Sequence, residues 1–172
     1  MNAAFKLNEQ VVHPNHGIGR IGRTQVERVA GRTGRFLVVA FPRPMLMLRI
    51  PVDKLEHSGL RRISSAHEMR AALSALSDTP LVPHGPWARW AAEFGRKLNS
   101  GQPRLLAEIL RDLNHRQHTG WASLLYREAL SRLAEELAIV DGVDVDEAEA
   151  MIADLVGPDD SADRKKKKKK RN

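Results

Sequence analysis

The sequence predicts an α+β protein of two domains: a small, strongly bent sheet or β-barrel, then an all-α helical bundle. Three observations predict it. Residues 9–56 hold short apolar runs of strand character cut by Gly and Pro turns. From residue 64 the apolar residues recur at helical spacing, bracketed by helix start and stop signals. Charge also divides along the chain. Residues 1–62 carry eleven Lys/Arg and four Asp/Glu, residues 63–120 seven and five, residues 121–163 two and twelve, and the segment from Arg164 eight cations and no acid. The expected units are therefore residues 1–62, residues 63–157 and a disordered basic tail over 158–172.

The strands come first. Gln10-Val11-Val12-His13 is short and ends at Pro14, and Asn15-His16-Gly17 makes a turn in which Gly17 can take positive φ. Gly19 to Val29 holds Ile21 and Val26 among polar residues, and Gly31 to Gly34 reads as the next turn. Phe36 to Phe41 is an apolar run stopped by Pro42 and Pro44. Met45 to Ile50 is a last strand ending at Pro51.

The helices follow. Ser65-Ala66-His67-Glu68 is a capping box that opens a helix to about Leu76. Thr79 to Gly85 is a loop, and Pro86 suits the first position of the next helix. In that helix Trp87, Trp90, Phe94 and Leu98 share a stripe, and Asn99-Ser100-Gly101 closes it. Pro103 starts a third helix with Leu106, Ile109, Leu110 and Leu113 on one face. A fourth runs from about Ser123 to Val140, with Tyr126, Leu130, Leu133, Leu137 and Val140 inward. Asp144 caps a fifth that ends near Val156.

Composition excludes some functions. An apolar fraction of 42% in 172 residues permits two modest cores. No apolar run approaches the roughly 20 residues that span a bilayer, so no membrane association is expected. The start, Met1-Asn2-Ala3-Ala4-Phe5-Lys6, lacks the apolar stretch of a secretory signal, and a cytoplasmic location is expected. Absence of cysteine excludes disulfides and thiolate metal sites. The formal charge of +7 comes from the tail, since without it the chain stands at −1. The high pI is thus no argument for nucleic-acid binding.

Catalytic and cofactor signals are weak. His13 and His16 lack further ligands nearby and read as turn residues rather than a metal pair. Gly17-Ile18-Gly19-Arg20-Ile21-Gly22 spells a dinucleotide fingerprint, but no helix follows it. Acids at 135, 136, 144, 146, 147 and 149 read as solvated helix faces and caps. Neither an enzyme nor a cofactor is expected.

Two surfaces are more informative. Alternation from Met45 puts Leu46, Leu48 and Ile50 on one face and Met45, Met47 and Arg49 on the other. The second set reads either as a protein-docking patch or as residues packed under the helical domain. At the start of the second helix, Trp87 stands next to Arg89, with Arg96 and Lys97 two turns on. An aromatic wedge beside cations can hold unstacked nucleic acid, and helix N-terminal amides can hold phosphate. The bland reading, an aromatic stripe in a core, suits Trp90 better than Trp87. Lys165–Lys170 could bind phosphates non-specifically, shadow the acidic helices or be an incidental solubility tail.

Phe5-Lys6-Leu7-Asn8-Glu9-Gln10-Val11-Val12-His13-Pro14-Asn15-His16-Gly17-Ile18-Gly19 resembles the opening of the CarD/CdnL family of bacterial RNA-polymerase-binding transcription regulators. Arg49-Ile50-Pro51, Trp87-Ala88-Arg89, Ser100-Gly101 and Glu108-Ile109-Leu110-Arg111-Asp112-Leu113 match further family elements in order, so the resemblance covers about residues 5–156. It implies a Tudor-like N-terminal domain that docks on the RNA polymerase β subunit through Met47, Arg49 and Pro51, next to Met45. It implies a helical domain that contacts promoter DNA at the upstream edge of the transcription bubble, with Trp87 as the wedge. Two departures stand out. Asn8-Glu9 replaces the usual Gly-Asp, a turn that Asn should preserve because it tolerates the left-handed region. Trp90 and Ala92 replace two cations after Arg89, so weaker DNA binding is expected, with the lysine tail compensating. The expected protein is a monomeric transcription factor that binds polymerase and stabilises open promoter DNA. The rival is a polymerase-docking antagonist or adaptor without DNA contact.

Overall fold

Five strands of the computed structural model pair antiparallel in one sheet, in the order β4-β3-β2-β1-β5. They are β1 (Gln10–His13), β2 (Gly17–Val29), β3 (Arg32–Phe41), β4 (Leu46–Pro51) and β5 (Arg61–Arg62). The structure describes residues 5–43, 45–81, 87–114 and 120–157, with the side chains of Trp87 and Ala88 also left out. Pro44, Pro86 and the tail with Lys165–Lys170 lie outside the described residues. Those residues form two compact units that meet between Ile63 and Ser64, which makes the chain an α+β protein of two domains.

In the sheet unit, Val11, Ile21, Leu37, Val39, Phe41 and Ile50 form the core, with Leu46 and Leu48 packed against it. Each large aliphatic side chain buried there contributes roughly 1.5–3 kcal/mol. The alternation expected over Met45–Ile50 is therefore observed from Leu46 to Ile50, whereas Met45 lies in the turn before the strand, at φ of 60°. The pairing of β2 with β3 shifts between Ile21 and Thr24, a bulge that bends the sheet. Gly17 takes φ of 70° at the β1–β2 turn. Asn8 takes φ of 65°, and its N–H donates to the Ile21 carbonyl at 2.8 Å, so the turn survives without the family glycine. Beside it, the Glu9 carboxylate accepts from Lys6 N–H and from Arg62 Nε, each at 2.6 Å. The Lys6 bond, then Arg62, hold its pKa below the usual value against the effect of burial.

Three details depart from the sequence reading. The β2–β3 turn is Ala30-Gly31, with φ of 51° and 81°, and Gly34 lies inside β3. Two positive φ values match the right-handed twist of a hairpin, so no longer turn is needed. A six-residue 3-10 helix, Val52–His57, and the two-residue strand β5 were not anticipated. The six-residue glycine pattern lies wholly on β2, and Gly19 serves packing. A Cβ there would come within 2.6 Å of the Phe41 ring and 2.9 Å of Val39.

The helical unit contains α1 (Ala66–Ser74), extended by a 3-10 turn over Ala75–Ser77, then α2 (Trp87–Ser100), α3 (Pro103–Asn114), α4 (Trp121–Asp141) and α5 (Val145–Val156). Ser65 and Glu68 make both bonds of the capping box. Asp144 accepts from Glu147 N–H at 2.7 Å, and Gly101 closes α2 at φ of 63°. Phe94, Leu106, Ile109, Leu110, Leu113, Leu133 and Leu137 fill the core. One acid corrects the expectation of a solvated face: Glu136 is 1% exposed and accepts the Ser64 N–H at 2.9 Å. The backbone donor just ahead of α1 needs a partner, and a carboxylate 72 positions later supplies it. No described helix is long and apolar enough to cross a membrane.

Candidate functional site

The first candidate surface is built on β4, an edge strand of the sheet. Its pairing with β3 opposes Met47 to Ala40 and Arg49 to Val38. With Leu46, Leu48 and Ile50 turned to the core, Met47 is 70% exposed and Met45, in a turn at φ of 60°, is 91% exposed. Pro51 ends the strand and is half-buried. Arg49 Nε lies 3.5 Å from Glu27 Oε1, in an exposed pair worth little on its own. The register continues from Met47 through Ala40 and Arg20 to Gln10, four residues in a row across four strands. Beside this row is an open groove of about 430 Å³ lined by Ile18, Arg20, Ala40, Met45, Leu46 and Met47. An edge strand, exposed thioethers and an apolar groove suit docking of another chain, by strand addition or by side-chain insertion.

The second candidate surface is built on α2, which opens at Trp87 with no acid in its first turn. Trp90 is half-buried, 5.6 Å from the Phe94 ring, and Phe94 and Leu98 are buried, so these three belong to the core as expected. Arg89 and Arg96 are exposed. Seven residues apart, they lie nearly one above the other, about 10 Å along the helix axis. They can hold successive acceptors of an anionic chain. Lys97 has other partners. Its side chain is only 13% exposed, with Nζ at 3.0 Å from Glu108 Oε2 and 3.8 Å from Asp112 Oδ2. That ammonium ties α2 to α3.

Asp112 is the centre of a network the sequence reading missed. Its Oδ1 accepts Leu81 N–H at 2.9 Å and Arg111 Nε at 2.7 Å. Arg111 also lies 3.8 Å from Asp78. Burial works against the Arg111 charge, but Asp112, Glu108 and Asp78 together hold its pKa above the usual value. The network fixes the chain at Leu81, six positions before α2 begins. Within the motif, Glu108 and Asp112 lie one helical turn apart, the spacing that brings both to Lys97.

The histidine pair is packing chemistry. His13 and His16 stack at 4.6 Å, both rings against Phe41, and Asn15 N–H donates to His13 Nδ1 at 3.2 Å. Burial, then the neighbouring His16, hold the His13 pKa below its usual value despite a backbone bond at Ser58. No group of three or more His, Cys, Asp or Glu side chains is placed to hold a metal among the described residues.

Comparison with known families matches both units. Residues 5–64 match the CarD-like/TRCF RID domain, and residues 71–153 match the CarD C-terminal domain. A RID domain implies interaction with the RNA polymerase β subunit. With both modules present in order over most of its length, the chain belongs to the CarD family of transcription regulators, which interact with RNA polymerase and are non-enzymatic.

Proposed function

We propose that this regulator holds the promoter open complex by gripping polymerase with one unit and DNA with the other. Residues 1–62 dock on the β subunit through Met45, Met47, Arg49 and Pro51. Residues 63–157 place Trp87 at the upstream edge of the bubble, with Arg89 and Arg96 on flanking phosphates. The protein acts as a monomer in the cytoplasm and needs no cofactor. One observation carries the DNA half: α2 opens at Trp87 and leaves Arg89 and Arg96 in solvent, while Trp90, Phe94 and Leu98 pack the core. The internal pairing of Lys97 removes it from the DNA contacts and leaves two arginines.

The energy required is small. A preference of about 1.4 kcal/mol for the open state shifts that equilibrium tenfold. The test is the lifetime of a preformed open complex challenged with competitor, with and without the protein. Longer lifetime supports the proposal. Polymerase binding with unchanged lifetime and no footprint on DNA supports the rival, an adaptor or antagonist without DNA contact.

The basic tail, residues 164–172, supplements the two arginines by non-specific phosphate contact. Deleting it is expected to flatten the salt dependence of DNA binding, read as the slope of log K against log salt. An unchanged slope would exclude the tail from DNA.

A further inference from the structure

The β2–β3 hairpin extends beyond the rest of the sheet. β1 pairs only with Gly17–Arg20 of β2, and β4 only with Phe36–Phe41 of β3. From Val26 to Arg35 the two strands therefore pair with each other alone, closed by Ala30-Gly31. Their register opposes Val26 to Arg35, Glu27 to Gly34, Arg28 to Thr33 and Val29 to Arg32. Alternation then sorts the side chains by face. Val26, Arg28, Thr33 and Arg35 continue the face that carries Leu37 and Ile50 lower in the sheet. Glu27 and Arg32 continue the opposite face, where Glu27 reaches Arg49 of the proposed polymerase surface.

The first face is unusual. Past the core it is open: Val26 is 66% exposed, and Arg28, Thr33 and Arg35 are exposed. It presents two arginines in adjacent cross-strand pairs and no acid. Among the described residues neither arginine has a carboxylate within ion-pair distance. An isolated two-stranded ribbon is marginal by itself and needs a reason to remain exposed and strongly basic.

We propose that this face of the hairpin is a second DNA-binding arm, in which Arg28 and Arg35 hold the phosphate backbone of duplex DNA. The charge fits a polyanion, and a two-stranded ribbon is of a size the major groove admits. A polymerase contact is less consistent with the geometry, because Met47 and Arg49 face the other way across the same strands. The arm rests on the DNA half of the proposed function and extends it to the unit otherwise assigned to polymerase.

The test is binding of the full-length chain to a fluorescent promoter-free duplex across a salt series, comparing wild type, R28A/R35A and R70A, which removes an exposed arginine of α1. Both targeted arginines are exposed, so a thermal melt should be unchanged and will verify folding. Each phosphate contact contributes about 0.9 to the slope of log K against log salt. The double variant is expected to lose about two from that slope, with R70A unchanged. A wild-type slope in R28A/R35A overturns the arm. So does retention of duplex binding with loss of β-subunit binding, which would assign the face to polymerase. The arm and the Trp87 wedge fail separately: the wedge is read from open-complex lifetime, the arm from duplex binding without polymerase.

Discussion

Replacing Trp87 by alanine is expected to shorten the lifetime of the protein-stabilised open complex about tenfold, with binding to the polymerase β subunit unchanged. Truncating an aromatic that stacks on a base loses roughly 1–3 kcal/mol, and 1.4 kcal/mol corresponds to tenfold. The effect should fall on DNA alone because other residues of α2 anchor it in the helical unit. Trp90, Phe94 and Leu98 already pack α2 against the rest of the helical unit. Lys97 further ties α2 to Glu108 and Asp112 of α3. A thermal melt within a few degrees of wild type would show that the helix is intact. Lifetime at the wild-type value would remove Trp87 from the bubble edge, and equal losses in both assays would contradict the division of labour between units.

Arg49→Glu is expected to give the opposite pattern: β-subunit binding weakened at least tenfold, and duplex DNA binding in the absence of polymerase retained. Arg49 stands on the exposed face of the edge strand β4, and its guanidinium is 3.5 Å from Glu27. Reversal removes a cation from the docking surface and sets two carboxylates side by side. Like charges juxtaposed at an interface cost several kcal/mol, whereas the exposed Arg49–Glu27 pair contributes at most about 1 kcal/mol to folding. The loss should therefore appear in a pull-down against the β subunit and hardly at all in stability. Wild-type retention in that pull-down would exclude Arg49 from the contact.

Features that rest on local periodicity were legible in the sequence. Leu46, Leu48 and Ile50 turned to the core, leaving Met47 and Arg49 outside, because a strand has period two. The Ser65–Glu68 box and the stripe through Trp90, Phe94 and Leu98 obey equally local rules. What escaped notice depends on distant partners. β5 is two arginines whose strand character comes only from pairing with Val11 and Val12. The 3-10 helix over Val52–His57 has no buried residue to give it a pattern. Glu136 looked like one acid among many until Ser64 turned out to need its carboxylate. Lys97 was counted with Arg96 because the two are adjacent, yet one helical step turns it onto Glu108 and Asp112. The exposed face of β4 was thus readable from alternation, whereas the cations of α2 that stay in solvent could be told apart only once the internal ion pairs were known.

The Ser64–Glu136 bond has a consequence for how the two units cooperate. Arg62 is paired into the sheet and bonded to Glu9, and Ser64 is bonded within the helical unit. Ile63 alone separates the last strand residue from the first residue bonded into the helical unit. A short connection turns capture of one partner into a high effective concentration for the second. On the proposed function, inserting a long flexible segment beside Ile63 lowers that effective concentration, so the gain from holding both partners falls before either grip alone weakens.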